Sequence, residues 1–255
     1  MKLSRNIIKM KCLACMLVLT SCSDTTDYNL SYSWSPVQIS SELGQSNQVE
    51  LTILPYRNKL DSMMNEVIGH AAHDLTTNGR YESRLGTFVT ALLHKQSSLS
   101  YQQPVDVALM NHHGGLRAPI NAGPITLGEV FEVMPFENEM LLLEVPGKKL
   151  TEIITFVGTS SSSMMWPVSF EITASGVKNI EVDGKAVDPN RTYLLAVSDY
   201  QANGGSGFEM LQTMERVDIV PVKLRDMIIA EVRELTANGD TVKTEVANLI
   251  TVSMQ

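Results

Sequence analysis

The chain has 255 residues with a formal charge of −8, 44% hydrophobic and 19% charged side chains. That apolar content supports a packed core and excludes a disordered chain, while the excess of acid argues against a nucleic-acid binder, which needs clustered Lys and Arg. The 3 cysteines, Cys12, Cys15 and Cys22, all fall at the start, so the rest of the chain offers no disulfide and no thiolate ligand.

Lys2, Arg5, Lys9 and Lys11 accompany a short apolar run that ends at Leu19. The run is too short to span a bilayer and is built like a secretory signal. Leu19-Thr20-Ser21-Cys22 resembles a bacterial lipobox, which makes 1–21 the signal and Cys22 the lipidated first residue of the mature chain. An ordinary cleaved signal with an incidental cysteine is the alternative. The expectation is an exported protein, lipid-anchored to a bacterial membrane at its periplasmic face or the cell surface. Loss of the four leader charges moves the formal charge from −8 to −12. Residues 22–49 are polar and serine-rich and read as a tether, unless Tyr32 and Trp34 pack a first strand on the domain. Residues 50–255 form the domain.

From Pro55, near a first helical turn, Leu60, Met63, Met64 and Val67 recur at helical spacing. A strand follows over 67–75, then a helix over 85–94 with Leu85, Phe88, Val89, Leu92 and Leu93 on one face. A buried-type strand occupies 105–110, a short helix 127–134 and an apolar strand 139–145. A helix over 147–157 carries Leu150, Ile153, Ile154 and Val157, and the serines of 160–163 form a loop. Strands over 170–173 and 177–182 lead to Asp183-Gly184, a hairpin signal. A strand over 193–197 and a helix over 223–235, stopped at Asn238-Gly239, complete the pattern. Irregular alternation with hairpins predicts an α+β (mixed α/β) domain, a mixed sheet with flanking helices, and no internal repeat.

Most of the chemistry lies in 105–144. The strand ending at Met110 runs into Asn111, His112, His113, Gly114 and Gly115, then Arg117. Glycines at a strand end let backbone approach a ligand, and an arginine there offers a planar fork to an anion. Pro135-Phe136-Glu137-Asn138 sets an aromatic two residues from an amide, a pair that can stack on a flat ring and hydrogen-bond its edge. Anion, flat ring and edge donors together describe a nucleotide or nucleoside. A plainer role competes for each: loop capping for Arg117, core packing for Phe136, turn formation for Asn138.

These residues resemble the C-terminal, substrate-binding domain of the 5'-nucleotidases. The family pattern is an N-x-G-G-I-R loop, a P-I-T segment (Pro124-Ile125-Thr126), P-F-x-N, and later an aromatic in a D-F-x-A-x-G-G-D-G-Y loop. Here that last loop runs from Asp199 through Tyr200 to Phe208, and Glu82-Ser83-Arg84-Leu85-Gly86 also matches. The resemblance implies a substrate site in which Phe136 and Tyr200 sandwich a base. Asn138 would meet the base edge, Arg117 the phosphate or an oxygen beside it, and Gly114 and Gly115 the ligand's flank. Two departures bear on specificity. The family asparagine stands five residues before the arginine, where this chain has His112, with Asn111 one residue earlier. Either the loop carries an extra residue or a histidine replaces the amide. Ser206 stands where the family has an aspartate that accepts from ribose hydroxyls, and a neutral group holds a diol less firmly. Arg80 and Arg84 are the nearest candidates for further family arginines.

In this family an N-terminal metallophosphatase domain holds two metals through D-x-H, G-D and G-N-H loops; this sequence has no D-x-H or G-N-H, and its one G-D pair, Gly239-Asp240, stands without them. The resemblance implies the specificity half of a nucleotide hydrolase, with no catalytic residue, cofactor or metal of its own. A separately encoded metallophosphatase would carry the divalent metals. A stand-alone exported nucleoside- or nucleotide-binding lipoprotein is the alternative. His70 and His73 lack a carboxylate pattern for a shared metal, and 160–163 lacks a G-x-S-x-G elbow.

Overall fold

A computed structural model describes residues 32–36, 40, 46–160, 162–217 and 221–253. The leader, Cys22 and most of the tether lie outside the described residues. Residues 32–36 form neither helix nor strand.

The unit Leu51–Gln255 is organised around a five-stranded mixed sheet. In spatial order its strands are β10 (Glu215–Val217), β4 (Met140–Pro146), β9 (Thr192–Ser198), β2 (Val107–Met110) and β5 (Met164–Trp166). β2 and β9 are parallel, and the other neighbours are antiparallel. β2 has no polar residue because both of its faces are covered. Ala108 and Met110 enter one apolar cluster, Val107 and Leu109 the other. Leu142 and Leu143 in β4, and Ala196 and Val197 in β9, divide the same way. Strand alternation between two dry faces yields a continuous apolar run.

The first cluster is filled by α2 (Arg84–Tyr101), with Leu85, Val89 and Leu93, and by α5 (Leu224–Ala237), with Met227, Ile228 and Val232. The second receives Leu150, Ile153, Ile154 and Val157 from α4 (Gly147–Ser160). It also takes residues from a sheet ordered β11 (Ile250–Ser253), β6 (Val168–Thr173), β7 (Gly176–Val182) and β8 (Lys185–Ala186). β1 (Val67–Ala71) pairs antiparallel with β3 (Gly123–Thr126), which runs into α3 (Leu127–Val133). The mixed α/β class read from the sequence is the class of this fold. The predicted hairpin is present too: Asp183 and Gly184, with φ of 50° and 69°, join Val182 to Lys185.

Several bounds move. α1 (Asn47–Met64) begins upstream of Pro55, within the span read as tether, and buries no residue. β1 ends at Ala71 rather than 75, because the Ala72 NH leaves the ladder for the Val242 carbonyl (2.9 Å). α2 continues to Tyr101, where Ser97 and Ser98 turn their hydroxyls back onto the His94 carbonyl (2.9 and 3.1 Å). α4 takes in Ser160, so the serine run starts inside a helix. Met164–Trp166, for which the sequence suggested no element, is an edge strand against β2.

Candidate functional site

Because β2 and β9 are parallel, the loops that follow them leave the sheet at the same end. β4 is antiparallel to β9, with Met140 opposite Ser198, so the segment before β4 arrives at that end as well. Three loops thus meet beyond the carboxyl ends of the parallel strands, where open α/β sheets hold ligands. They enclose a cavity of about 370 Å³. Asn111, Gly114, Gly115 and Arg117 line it from the first loop, Phe136 and Asn138 from the second, Tyr200 and Ser206 from the third. Met110, His113, Met134, Ser198 and Leu224 complete the wall.

Backbone bonds hold the loops in place. Gly114 turns the first loop at φ 103°, a conformation other residues rarely adopt. The Arg117 NH donates to the Val133 carbonyl (2.8 Å), tying that loop to the end of α3. α3 starts in a capping box: Thr126 Oγ1 accepts from Glu129 NH (3.1 Å), and Glu129 Oε2 accepts from Thr126 NH (3.0 Å). The second and third loops are laced by Asp199. Its NH donates to the Glu139 carbonyl (2.8 Å), and its Oδ1 accepts from Glu139 NH (3.2 Å).

Phe136 and Tyr200 are 38% and 49% exposed, so neither is a core aromatic. The Arg117 guanidinium lies 5.8 Å from the Phe136 ring centre and donates through Nη1 to the Gly114 carbonyl (3.3 Å). Its remaining donors are available to an anion. The Asn138 side chain makes no hydrogen bond among the described residues, although its carbonyl accepts from Leu224 NH (3.0 Å). Asn111 satisfies its amide best with the NH2 toward the carbonyls of Ser162 (3.1 Å) and His113 (2.6 Å); its oxygen then accepts from Ser206 Oγ at 2.6 Å.

His112 does not join this group. Its ring is fully buried, with Nδ1 3.4 Å from the Ser83 hydroxyl that caps α2. Burial, and then the neighbouring His113, pushes its pKa from 6.5 down to about 4. Ser83 Oγ already accepts from Gly86 NH (3.0 Å), so its proton is free to point at Nδ1, which leaves the imidazole proton on Nε2. Nε2 is buried without a partner among the described residues. Asn111 therefore supplies the amide at the cavity, and the exposed His113, bonded through Nε2 to the Gly79 carbonyl (3.0 Å), supplies the imidazole.

Three further residues support the site: Gln201 and Arg225 carry no local sequence signal, while Gly205 is the second glycine of the Asp199–Phe208 loop. Buried Gln201 accepts through Oε1 from Asn111 NH (3.1 Å) and donates through Nε2 to Ser163 Oγ (3.4 Å). Arg225, 6% exposed, donates to the Phe136 carbonyl (3.2 Å) and the Glu137 carboxylate, and its guanidinium sits 4.1 Å from the Phe131 ring centre. Hydrogen bonds from Lys223 and then Arg225 hold the Glu137 pKa down to about 2. Gly205 lies against the Tyr200 ring.

The other candidates are engaged elsewhere. Arg84 pairs with Glu245 (3.0 Å), Arg80 lies over the Tyr81 ring (5.2 Å), and His73 donates to the Thr244 carbonyl (3.1 Å). Among the described residues no group of three or more His, Cys, Asp or Glu is arranged to hold a metal ion.

The fold and cavity define a mixed α/β domain whose loops gather two aromatic rings, one guanidinium and free amide chemistry at one end of the sheet. The chain belongs to the family described as 5'-nucleotidase, C-terminal domain, which matches residues 67–213. It is 32% identical over 114 residues to protein UshA of Yersinia enterocolitica, covering 43% of this chain and 20% of that protein. Against UshA of Escherichia coli it is 27% identical over 185 residues, covering 67% and 31%. The crystal structure of a 5'-nucleotidase precursor from Thermus thermophilus superposes with a TM-score of 0.64 at 25% identity, over 80% of this chain and 43% of that one. The chain spans less than half the length of each of these relatives.

Proposed function

We propose that the cavity binds a nucleotide, with the base between Phe136 and Tyr200 and the phosphate on Arg117. In this reading the chain is the specificity half of a nucleotide hydrolase, and a separate metallophosphatase polypeptide supplies the metals and the attacking water. Export and lipid attachment at Cys22 place both chains outside the cytoplasm. The observation that carries the proposal is the convergence of Phe136, Tyr200, Arg117 and Asn138, from three loops, on one cavity of about 370 Å³. That volume falls in the range of small-ligand sites. Relatives named as 5'-nucleotidases support the choice of ligand.

Calorimetry with AMP, adenosine and inorganic phosphate tests the site. AMP is expected to bind, and Arg117→Ala to weaken it roughly 10- to 150-fold, the equivalent of about 1.5–3 kcal/mol for a charged hydrogen bond, while adenosine changes little. AMP binding that is absent, or indifferent to Arg117, would reject the reading. Phosphate release on mixing with an exported metallophosphatase from the same cells supports the two-chain form. Tight AMP binding without release supports a stand-alone binding lipoprotein.

A further inference from the structure

Tyr200 has a fixed neighbour behind it. A methyl group at Gly205 would lie 2.5 Å from Cε1, 2.5 Å from Cζ and 2.6 Å from Cε2 of Tyr200. A point nearly equidistant from three carbons of a six-membered ring lies close to the normal through its centre. The Gly205 α-carbon therefore faces the middle of the ring, not its edge. Gly204 and Gly207 have φ of 92° and 83°, but Gly205 is outside the left-handed region, so its backbone conformation is open to any residue. The ring is what a side chain there would meet first. Tyr200 is nevertheless half exposed and lines the cavity, so the ring presents its opposite face. Its backbone is fixed as well: Asp199 Oδ1 accepts from Tyr200 NH (2.8 Å), and Ser198 Oγ caps the turn through Gln201 NH (3.2 Å).

We infer that Gly205 is a positioning residue of the ligand site: it seats one face of the Tyr200 ring, so that the other is presented to the cavity before a ligand arrives. The inference rests on the nucleotide reading of the cavity and gives it a physical basis. A loop tyrosine that samples several rotamers loses part of its stacking energy on being fixed, whereas a seated ring keeps it. A side chain at position 205 pushes the ring toward the cavity, into the space a base would fill. Gly205 thus acts on the ligand through Tyr200 alone.

Two measurements test this. In the ligand-free protein the Gly205 α-protons lie over the Tyr200 ring face, so proton NMR is expected to find them shifted upfield, and Tyr200→Leu to abolish the shift. An unshifted signal in the folded wild type would overturn the inference. Because Tyr200 is half exposed, this comparison stands even if alanine at position 205 unfolds the chain. The second measurement is AMP affinity for wild type, Gly205→Ala, Tyr200→Ala and the double variant. Gly205→Ala is expected to bind at least about 5-fold more weakly, the lower end of base stacking on an aromatic. The double variant is expected to bind no more weakly than Tyr200→Ala, since both changes act through one ring. Losses that add would overturn the inference. A wild type that binds no nucleotide would sink the functional reading, and the α-proton shift would then decide the seat by itself.

Discussion

The Asn111 amide oxygen and the Ser206 hydroxyl meet at 2.6 Å, joining the loop after β2 to the loop after β9 at the cavity wall. The Ser206 proton is committed to that bond, so toward a sugar the hydroxyl can only accept, and weakly. Adenosine and 2'-deoxyadenosine are therefore expected to bind within about threefold of one another. Ser206 sits at φ 59°, which aspartate tolerates better than most residues. Ser206→Asp would bring a carboxylate to the cavity while the Asn111 amide turns its NH2 toward it. The variant is expected to favour adenosine about 10-fold, the effect of one charged hydrogen bond at the low end of its range. Calorimetry with the two nucleosides measures the ratio; if it stays unchanged, the sugar does not reach Ser206.

The two aromatics should separate binding from stability. Phe136→Ala and Tyr200→Ala are each expected to weaken AMP roughly 5- to 150-fold, from about 1–3 kcal/mol of stacking. Truncating a core aromatic instead costs about 3–5 kcal/mol of stability. With Phe136 and Tyr200 half exposed, both variants are expected to melt within a few degrees of wild type. Variants that melt far earlier yet bind normally per folded molecule would show that the rings belong to the core.

The middle of the central sheet was legible because β2, β4 and β9 are covered on both faces over most of their length and read as apolar runs, interrupted in β4 only by exposed Glu144. The cavity was legible because Arg117, Phe136, Asn138 and Tyr200 sit on loops beside those strands, inside motifs shared with a family. What escaped depends on tertiary pairing. Arg225 meets Glu137 across 88 residues of chain, and no local pattern marks either. β3 and β10 are short and recognisable only by their partners. His112 and His113 are indistinguishable as letters, yet the turn after Asn111 sends one into the core and the other to the rim. Pro55 misplaced the start of α1, since a proline usually marks a first turn rather than a helix interior.

Arg225 holds the Phe136 loop from behind, and its fork reaches both the Phe136 carbonyl and the Glu137 carboxylate. A lysine keeps the charge but not the planar pair of donors. Arg225→Lys is expected to lower AMP affinity several-fold and to lower the melting temperature, because an ammonium cannot reach the Phe136 carbonyl and the Glu137 carboxylate together. The carboxylate side follows from its depressed pKa. Stability drawn from ionised Glu137 is present above its unfolded value near 4.5 and fades as pH falls toward 2. Glu137→Gln should therefore matter at pH 7 and little at pH 2. Thermal and urea melts at the two pH values, with AMP titrations at neutral pH, measure both effects; an Arg225→Lys variant that binds AMP like wild type would show that the loop holds its own shape.

His112 gives the fold a dependence on mild acid. Its buried imidazole stays neutral until about pH 4, whereas in the unfolded chain it takes a proton near 6.5. Between those values only the unfolded state gains the proton, so stability is whole above 6.5 and falls as the pH drops toward 4. At about 1.36 kcal/mol per pKa unit, the loss is on the order of 3 kcal/mol. Other groups titrate over the same span, so the informative quantity is the difference between two proteins. His112→Leu removes the proton site at similar volume and leaves the Ser83 cap on Gly86 intact. From pH 7 through 5.5 to 4.5 the wild-type urea midpoint is expected to fall relative to that of His112→Leu, because only the wild type carries the histidine penalty. Parallel curves for the two proteins would mean that the ring titrates normally and reaches water, contrary to its burial against α2.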